Sequence, residues 1–417
     1  MSLTRRGLLQ TPGSIRIIAS LFINSLGSGL YIPFSLLYFH MVGGLPITLI
    51  GLGLTSATLV SLPVSPITGT LTNRIGTLKT LTLSLLLQGL GFIGYLFVHS
   101  FPILFIMALL VTGGTRMFWV AFPTFIADLS AKGQRDSWYG LMASAQNAGI
   151  ALAGLLAGLI VTIGGNLGYH VLIAANAASF VIAALLLIGL HDTRHQTMHS
   201  PSSNATGYRA LLQDRTYIGV LLCSIVFILC AIVIIDILPI YLVETLHLSV
   251  WTVGASFTIS TVLLVILQPL AVALTRPYRR TRIVMLAGLI WFASAMLYAL
   301  ALAIPFWLLI PFVFLVIAFY SCGELFYTPT INAFVAEFGS QHQRSRYIAA
   351  YQLVAWGGGS AIAPAFFTQL LSLGPLYLWG TVAGMALVAT FAFIWLERHM
   401  PEQAVYKSET LLEKTRE

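Results

Sequence analysis

The sequence predicts an all-α polytopic membrane protein, with twelve transmembrane helices in two six-helix bundles around a central cavity. Three observations carry that expectation: very little charge, apolar stretches of spanning length along the whole chain, and an internal repeat relating its halves. Apolar residues make up 58% of the 417 and charged residues 8%, with a mean hydropathy of +0.91. A soluble domain carries about a quarter charged residues. So few charges cannot cover a surface against water, so the solvent is lipid.

Stretches of roughly 18–25 residues, enough for a helix to cross about 30 Å of hydrocarbon, fall at 16–39, 47–71, 79–98, 102–126, 138–163, 168–190, 216–242, 250–274, 283–303, 306–330, 346–372 and 375–397. The first is too long for the core of a cleavable signal and no A-x-A site with a soluble domain follows it, so it reads as a span. The longest polar stretch, His191 to Arg215, divides the chain. The expected organisation is a first bundle at 1–190, a central loop at 191–215, a second bundle at 216–397 and a tail at 398–417.

Twenty of the 21 Lys and Arg fall before or at the start of span 1, after the even-numbered spans, in the central loop or in the tail; the exception is Arg116. The intervening loops, such as MVGGLP and HSFP, carry none. By the positive-inside rule the basic side, and with it both termini, is cytoplasmic. The net charge of +8 then reflects topology and faces anionic lipid headgroups, with no nucleic-acid partner required. Cys223, Cys230 and Cys322 all lie in apolar stretches, which fits reduced packing residues rather than a disulfide framework.

The halves resemble each other. Ser65–Lys79 (SPITGTLTNRIGTLK) aligns with Gln268–Arg282 (QPLAVALTRPYRRTR) at an offset of 203, matching Pro66 to Pro269, Leu71 to Leu274, Thr72 to Thr275 and Lys79 to Arg282. FIADLSAKGQR from Phe125 aligns with FVAEFGSQHQR from Phe334 at an offset of 209, so Asp128 meets Glu337 and Arg135 meets Arg344. Two six-helix units of parallel topology flanking a cavity follow from such a repeat.

With these features the sequence resembles the major facilitator superfamily over essentially its whole length. The loop after span 2 is similar to that family's G-x-x-x-D-R-x-G-x-x-K motif, here with Gly69, Asn73, Arg74, Gly76 and Lys79. Asn73 stands where the family has Asp. The family carboxylate latches the cytoplasmic side when the cavity opens outward; Asn73 can hydrogen-bond but forms no ion pair. Ala153-Gly154 and Ala157-Gly158 resemble the glycine-rich span-5 motif of antiporters, without its proline; the small residues allow close helix approach. CGELFYTPT, Cys322 to Thr330, is similar to the span-10 segment of some proton-coupled multidrug antiporters. The resemblance implies a monomeric carrier of a small-molecule substrate and protons in a bacterial cytoplasmic (inner) membrane, with no cofactor.

Three charged residues fall well inside predicted hydrocarbon, Arg116, Asp236 and Glu324, each costing a few kcal/mol unless solvated or paired. Glu324 lies four residues after Tyr320 and three before Tyr327, so all three share a helix face. A carboxyl group among aromatics suits proton exchange; a structural ion pair is the competing role. Asp236, nearer the outer end and followed by Pro239, reads as a second proton site, a cation site or a polar plug of an outer gate. Arg116 reads as partner to one of the carboxylates or as a contact for an anionic substrate group. The family's commoner span-4 arginine would fall at Ala108, so Arg116 does not inherit its role.

On span 1, Asn24, Ser28, Tyr31, Ser35 and Tyr38 follow helical spacing and share one face. They either line the cavity or bond between helices. Gln146 and Asn147 on span 5, and Tyr351 and Trp356 on span 11, are further candidates for substrate contact, although Tyr and Trp also serve as interfacial anchors. The chain has no G-x-x-x-x-G-K-[ST] loop, HExxH or G-x-S-x-G, no CxxC and no His/Cys metal spacing. It is therefore read as no enzyme, driven by an ion gradient rather than ATP. The leading expectation is a proton-coupled exporter of amphipathic drugs. Alternatives are a carrier of a sugar, peptide or other metabolite, an importer among them, and a receptor or lipid-handling scaffold; the last has no need of ionisable groups in lipid.

Overall fold

A computed structural model describes residues 13–129, 135–190, 214–275, 277–338 and 344–405. The described chain is nearly all helical, without a strand. Nine of its helices are long and apolar enough to cross a membrane, or ten when the pair Ile47–Val60 and Val64–Ile75, bent by 47°, is one span. In chain order the spans are α1 (Ser14–Val42), α2 (that bent pair), α3 (Thr77–Tyr95) and α4 (Phe101–Leu129). The run Arg135–Leu187 turns at Gly165 (φ 53°, ψ −131°) and divides there into α5 and α6. The second half comprises α7 (Arg215–Asp236), α8 (Trp251–Leu274), α9 (Arg280–Leu300) and α10 (Phe306–Phe338). Next come α11, in which Arg344–Ala350, Tyr351–Trp356 and Gly357–Leu373 run on directly, and α12 (Pro375–Glu397). Dividing the long run and including α11 gives the twelve expected spans. The central loop over 191–213 and the tail over 406–417 lie outside the described residues.

The chain forms two compact units, Met1–Met198 with Ser249–Thr258, and His199–Leu248 with Ile259–Glu417. In the first, α1 packs on α5 and α6: Ser20 donates to the Ala183 carbonyl at 2.9 Å, and Gly29 meets Ile150 and Ala153. The start of α8 groups here too, where its Gly254 lies against Gly154 and Gly158. A side-chain carbon on Gly254 would fall 2.7 Å from the Gly154 carbonyl oxygen and 2.8 Å from Gly158 Cα. The small residues of the antiporter-like motif thus allow backbone-to-backbone contact.

The repeat is expressed in contacts. Tyr38 donates to the Tyr95 carbonyl at 3.0 Å, and 203 residues on Tyr241 donates to the Tyr298 carbonyl at 2.6 Å. Both tyrosines open a π-helical turn, Tyr38–Val42 and Tyr241–Thr245. The turns close alike, with Leu45 N–H on the Phe39 carbonyl and Leu248 N–H on the Leu242 carbonyl.

In the loop after α2, Gly76 adopts φ 91° and ψ 160°, a region essentially restricted to glycine. Its N–H closes α2 on the Thr72 carbonyl and its carbonyl receives the Thr80 N–H. Asn73, Arg74 and Lys79 are exposed around this turn, and Gly69 has open space beside it. The equivalent end of the second unit is tied by ion pairs. Arg280 meets Glu337 at 2.8 Å and Arg279 meets Glu397 at 3.2 Å. Arg280 also donates to the Ala404 carbonyl at 2.9 Å, holding the short helix α13 (Glu402–Val405) against the ends of α9 and α10. The side chain of Asp128, matched to Glu337 by the repeat, lies outside those described.

Candidate functional site

The second unit brings Tyr320, Glu324 and Tyr327 together on α10, as their spacing requires. Tyr320 and Tyr327 are buried and Glu324 half-buried. The Tyr320 hydroxyl donates to the Cys230 carbonyl on α7, fixing α10 to α7 at this level. Tyr327 packs on Phe227 of α7 (centroids 5.4 Å) and on Trp291 of α9 (5.2 Å), and Trp291 lies 6.0 Å from Tyr320. Glu324 therefore shares its helix with two tyrosines that are walled by Phe227 and Trp291. The Tyr327 hydroxyl faces Ser224 and Tyr351, and Trp291 Nε1 has no hydrogen-bond partner. A buried polar atom without a partner is costly, and this one lies against Gly323, the residue before Glu324.

Asp236 ends α7, where Ile237 leaves helical geometry (φ −118°) before Pro239. Its Oδ2 is buried without a hydrogen-bond partner. The levels fixed by Tyr320 on Cys230 and Phe227 on Tyr327 set Asp236 and Glu324 roughly 10–15 Å apart along the helix axes, at 1.5 Å per residue. They do not form one dyad. Among the described residues the ion pairs are those of Arg279 and Arg280, and neither includes Asp236 or Glu324. Nor do three or more His, Cys, Asp or Glu of the described residues gather as a metal site.

Arg116 on α4 bonds within the first unit. Its Nε donates to Ser61 Oγ at 2.7 Å and its Nη2 to the Thr58 carbonyl at 3.3 Å. Both acceptors lie at the break in α2, where Pro63 lacks an N–H and the chain bends. A guanidinium at the C-terminal end of Ile47–Val60 also complements the helix dipole. The hydrogen bonds thus make Arg116 a clasp on the α2 bend, a role its position in the sequence did not disclose.

Tyr31 packs edge-on to Phe92 (4.8 Å) and stacks on Tyr95 (5.9 Å) of α3, so this part of the polar stripe meets α3 inside the unit. Asn24 lines a small cavity with Leu81 and Leu85 of α3 and Phe118 and Phe122 of α4, and its Oδ1 is unpartnered. Gln146 is half-buried and Asn147 exposed on α5. Tyr351 and Trp356 open and close a π-helical turn of α11, the first buried and the second exposed. Sequence reasoning missed Trp291, Phe227 and Ser224 as neighbours of the tyrosines that flank Glu324, and Ser61 as the acceptor for Arg116. The repeat held one usable pointer: the offset of 203 matches Trp291 to the polar Gln88.

Apolar helices of membrane-crossing length among the described residues, with Asp236 and Glu324 set in them, mark an integral membrane protein. The family model described as Major Facilitator Superfamily matches residues 17–364 and 220–414, and the chain belongs to that superfamily. It is 24% identical over 172 residues to the uncharacterized MFS-type transporter YttB of Bacillus subtilis, covering 41% of this chain and 42% of that protein. It is 24% identical over 178 residues to the quinolone resistance protein NorA of Staphylococcus aureus, covering 43% and 45%. The chain thus spans less than half the length of these relatives. Its fold is similar to that of the nucleoside transporter NupG (TM-score 0.77, 13% identity, 92% of this chain and 99% of that one). It is also similar to a D-xylose-proton symporter (TM-score 0.69, 15% identity, 91% and 96%).

The clasp is testable by a double-mutant cycle of Arg116→Gln and Ser61→Ala, read by unfolding in detergent micelles. Each single change should destabilise the protein, and the pair should couple by about 1 kcal/mol. Strict additivity would show that the two side chains do not act together.

Proposed function

We propose that this chain is a proton-coupled secondary transporter that exports amphipathic small molecules, cations among them, by alternating access. The observation that carries the reading is Glu324, half-buried at mid-span beside Tyr320 and Tyr327 and outside the ion pairs of the described residues. A carboxyl group in such a place is costly unless it is used. In its ionised form it favours a cationic or polarised substrate, and protonation from outside releases the substrate and lets the empty carrier reset. Asp236, nearer the outer end, serves a second step in the same proton path. The similarity to a quinolone resistance protein supports a drug-like substrate and the outward direction.

In this reading the carrier works as a monomer in a bacterial cytoplasmic membrane. Its two six-helix halves, 1–190 and 216–397, alternate access between them, and both termini lie in the cytoplasm with the basic loops against anionic headgroups. A single cysteine introduced in the Ser200–Ser203 stretch should react only from the cytoplasmic side. Efficient labelling of intact cells by a membrane-impermeant thiol reagent would reverse the orientation.

The mechanism is tested in proteoliposomes with an imposed pH gradient and a panel of dyes, quinolone-like drugs, sugars and peptides. Transport of the cationic amphiphiles is expected. Accumulation of a sugar or peptide with none of the drugs would establish the metabolite-carrier alternative. Glu324→Gln keeps shape but cannot ionise, so gradient-driven transport should fall to background. The protein should still insert, because a neutral side chain is cheaper in lipid than a charged one. If Glu324 instead neutralises a buried cation, Gln strands that charge, and the variant should express poorly.

A further inference from the structure

The two halves differ at one place where the repeat otherwise reproduces their contacts. In the first half, Gly114 on α4 admits the α3 residue Gln88 so closely that a side-chain carbon on Gly114 would fall 2.7 Å from Gln88 Cγ. The next residue, Thr115, donates its hydroxyl to Gln88 Oε1 at 2.9 Å. The offset of 203 carries Gln88 to Trp291, and the offset of 209 carries Gly114 and Thr115 to Gly323 and Glu324. The close approach recurs: a side-chain carbon on Gly323 would fall 2.6 Å from Trp291 Nε1. The polar bond does not, for Trp291 is 1% exposed and its Nε1 has no hydrogen-bond partner.

These offsets relate contacts and not letters alone. The offset of 203 carries the Tyr38–Tyr95 bond onto the Tyr241–Tyr298 bond, and Tyr95 and Tyr298 lie on the same helices as Gln88 and Trp291. What changes between the halves is polarity. In the first, the α4 side chain is the donor and the α3 side chain the acceptor. In the second, the α9 side chain is an indole, which only donates, and the α10 side chain is a carboxyl group, which only accepts when ionised.

We propose that the Trp291 indole N–H positions the Glu324 carboxylate, hydrogen-bonding it in the ionised, substrate-loaded carrier and releasing it when Glu324 takes up a proton. The proposal rests on the reading of Glu324 as the coupling group. The other titratable groups facing this place are Tyr320 and Tyr327 on α10, Cys230 on α7, Tyr298 on α9 and Tyr351 on α11. Tyr320 is committed to the Cys230 carbonyl and Tyr327 faces Ser224 and Tyr351. Trp291 is a buried donor packed against Gly323, the residue before Glu324, and its Nε1 has no hydrogen-bond partner. A donor-only partner distinguishes the two protonation states, since it strengthens contact with the anion and gains little from the neutral acid. Trp291 would thus link the proton on Glu324 to the packing of α9 on α10.

Two measurements test this on the full-length protein. The first uses ultraviolet resonance Raman spectra of purified wild type and Glu324→Gln. The indole N–H band should report one stronger hydrogen bond at high pH than at low pH in wild type, and no such difference in Glu324→Gln. The second uses gradient-driven transport beside substrate counterflow. Trp291→Phe keeps a ring but not the donor and should lose about tenfold or more of gradient-driven transport while retaining most counterflow. Trp291→Gln, the side chain of the matched position, restores a donor and should recover coupling. An indole band indifferent to pH in wild type, or a Trp291→Phe variant that pumps at the wild-type rate, overturns the proposal. The Glu324→Gln variant separates the two ideas. If it stays uncoupled while Trp291→Phe pumps normally, only the role of Trp291 falls. If it pumps normally, the coupling role of Glu324 falls as well.

Discussion

Lipid supplies no hydrogen bonds and no solvation for charge, and the organisation of this protein follows from that constraint. Backbone groups are satisfied within helices, and hydroxyl side chains fold back onto carbonyls one turn earlier, as Thr68, Thr80, Ser256 and Thr390 do. Where a helix must break, polar partners are brought to the break. The bend in α2 frees backbone groups, and Arg116, a charge placed at membrane depth, bonds the hydroxyl and the carbonyl beside it. Against that background the unpartnered atoms carry information. Trp291 Nε1, packed against Gly323 next to Glu324 in the chain, has no hydrogen-bond partner. A group left unsatisfied at that cost is consistent with a site whose bonds change during a cycle.

Much of the fold was legible because lipid turns composition into geometry. The length of the apolar stretches set the spans, and the polar stretch from His191 to Arg215 set the halves. The repeat was visible in two loops, and the structure extends it into the membrane, where Tyr38 and Tyr241 make the same bond to Tyr95 and Tyr298. Gly76, part of the family motif, owes its identity to a backbone conformation closed to other residues. Less legible were features that depend on which side chain meets which. The apolar run over 47–71 gave no hint that α2 bends by 47°, because proline in an apolar run reads equally as a kinked or a straight span. The tail from 398 onward gave no sign in the sequence of what it meets, yet Ala404 is held by Arg280. Span counting also could not foresee that the start of α8 groups with the first half, through a contact of Gly254 with Gly154 and Gly158.

The candidate site was legible in part for the same reason. Helical spacing placed Tyr320, Glu324 and Tyr327 on one face, but α7 and α9 contribute Phe227 and Trp291 through packing that a linear pattern does not encode. Spacing on α1 likewise found a polar face without saying what it meets; Tyr31 packs on Phe92 and Tyr95. Trp and Tyr are common in any membrane protein, so Trp291 stands out only when the two halves are compared position by position. Its match is a glutamine that hydrogen-bonds the residue matched to Glu324. An internal repeat thus supplies what one sequence otherwise lacks, a second solution to the same packing problem.

The central claim is that the proton and the substrate compete through Glu324, and the most direct measurement is of the proton itself. Purified protein in weakly buffered detergent solution, mixed with a cationic substrate it transports, should release protons into the medium. The Glu324→Gln variant, tested at a substrate concentration that saturates its own binding, should release none. Proton release of wild-type size from that variant would contradict the account and place the coupling group elsewhere in the membrane.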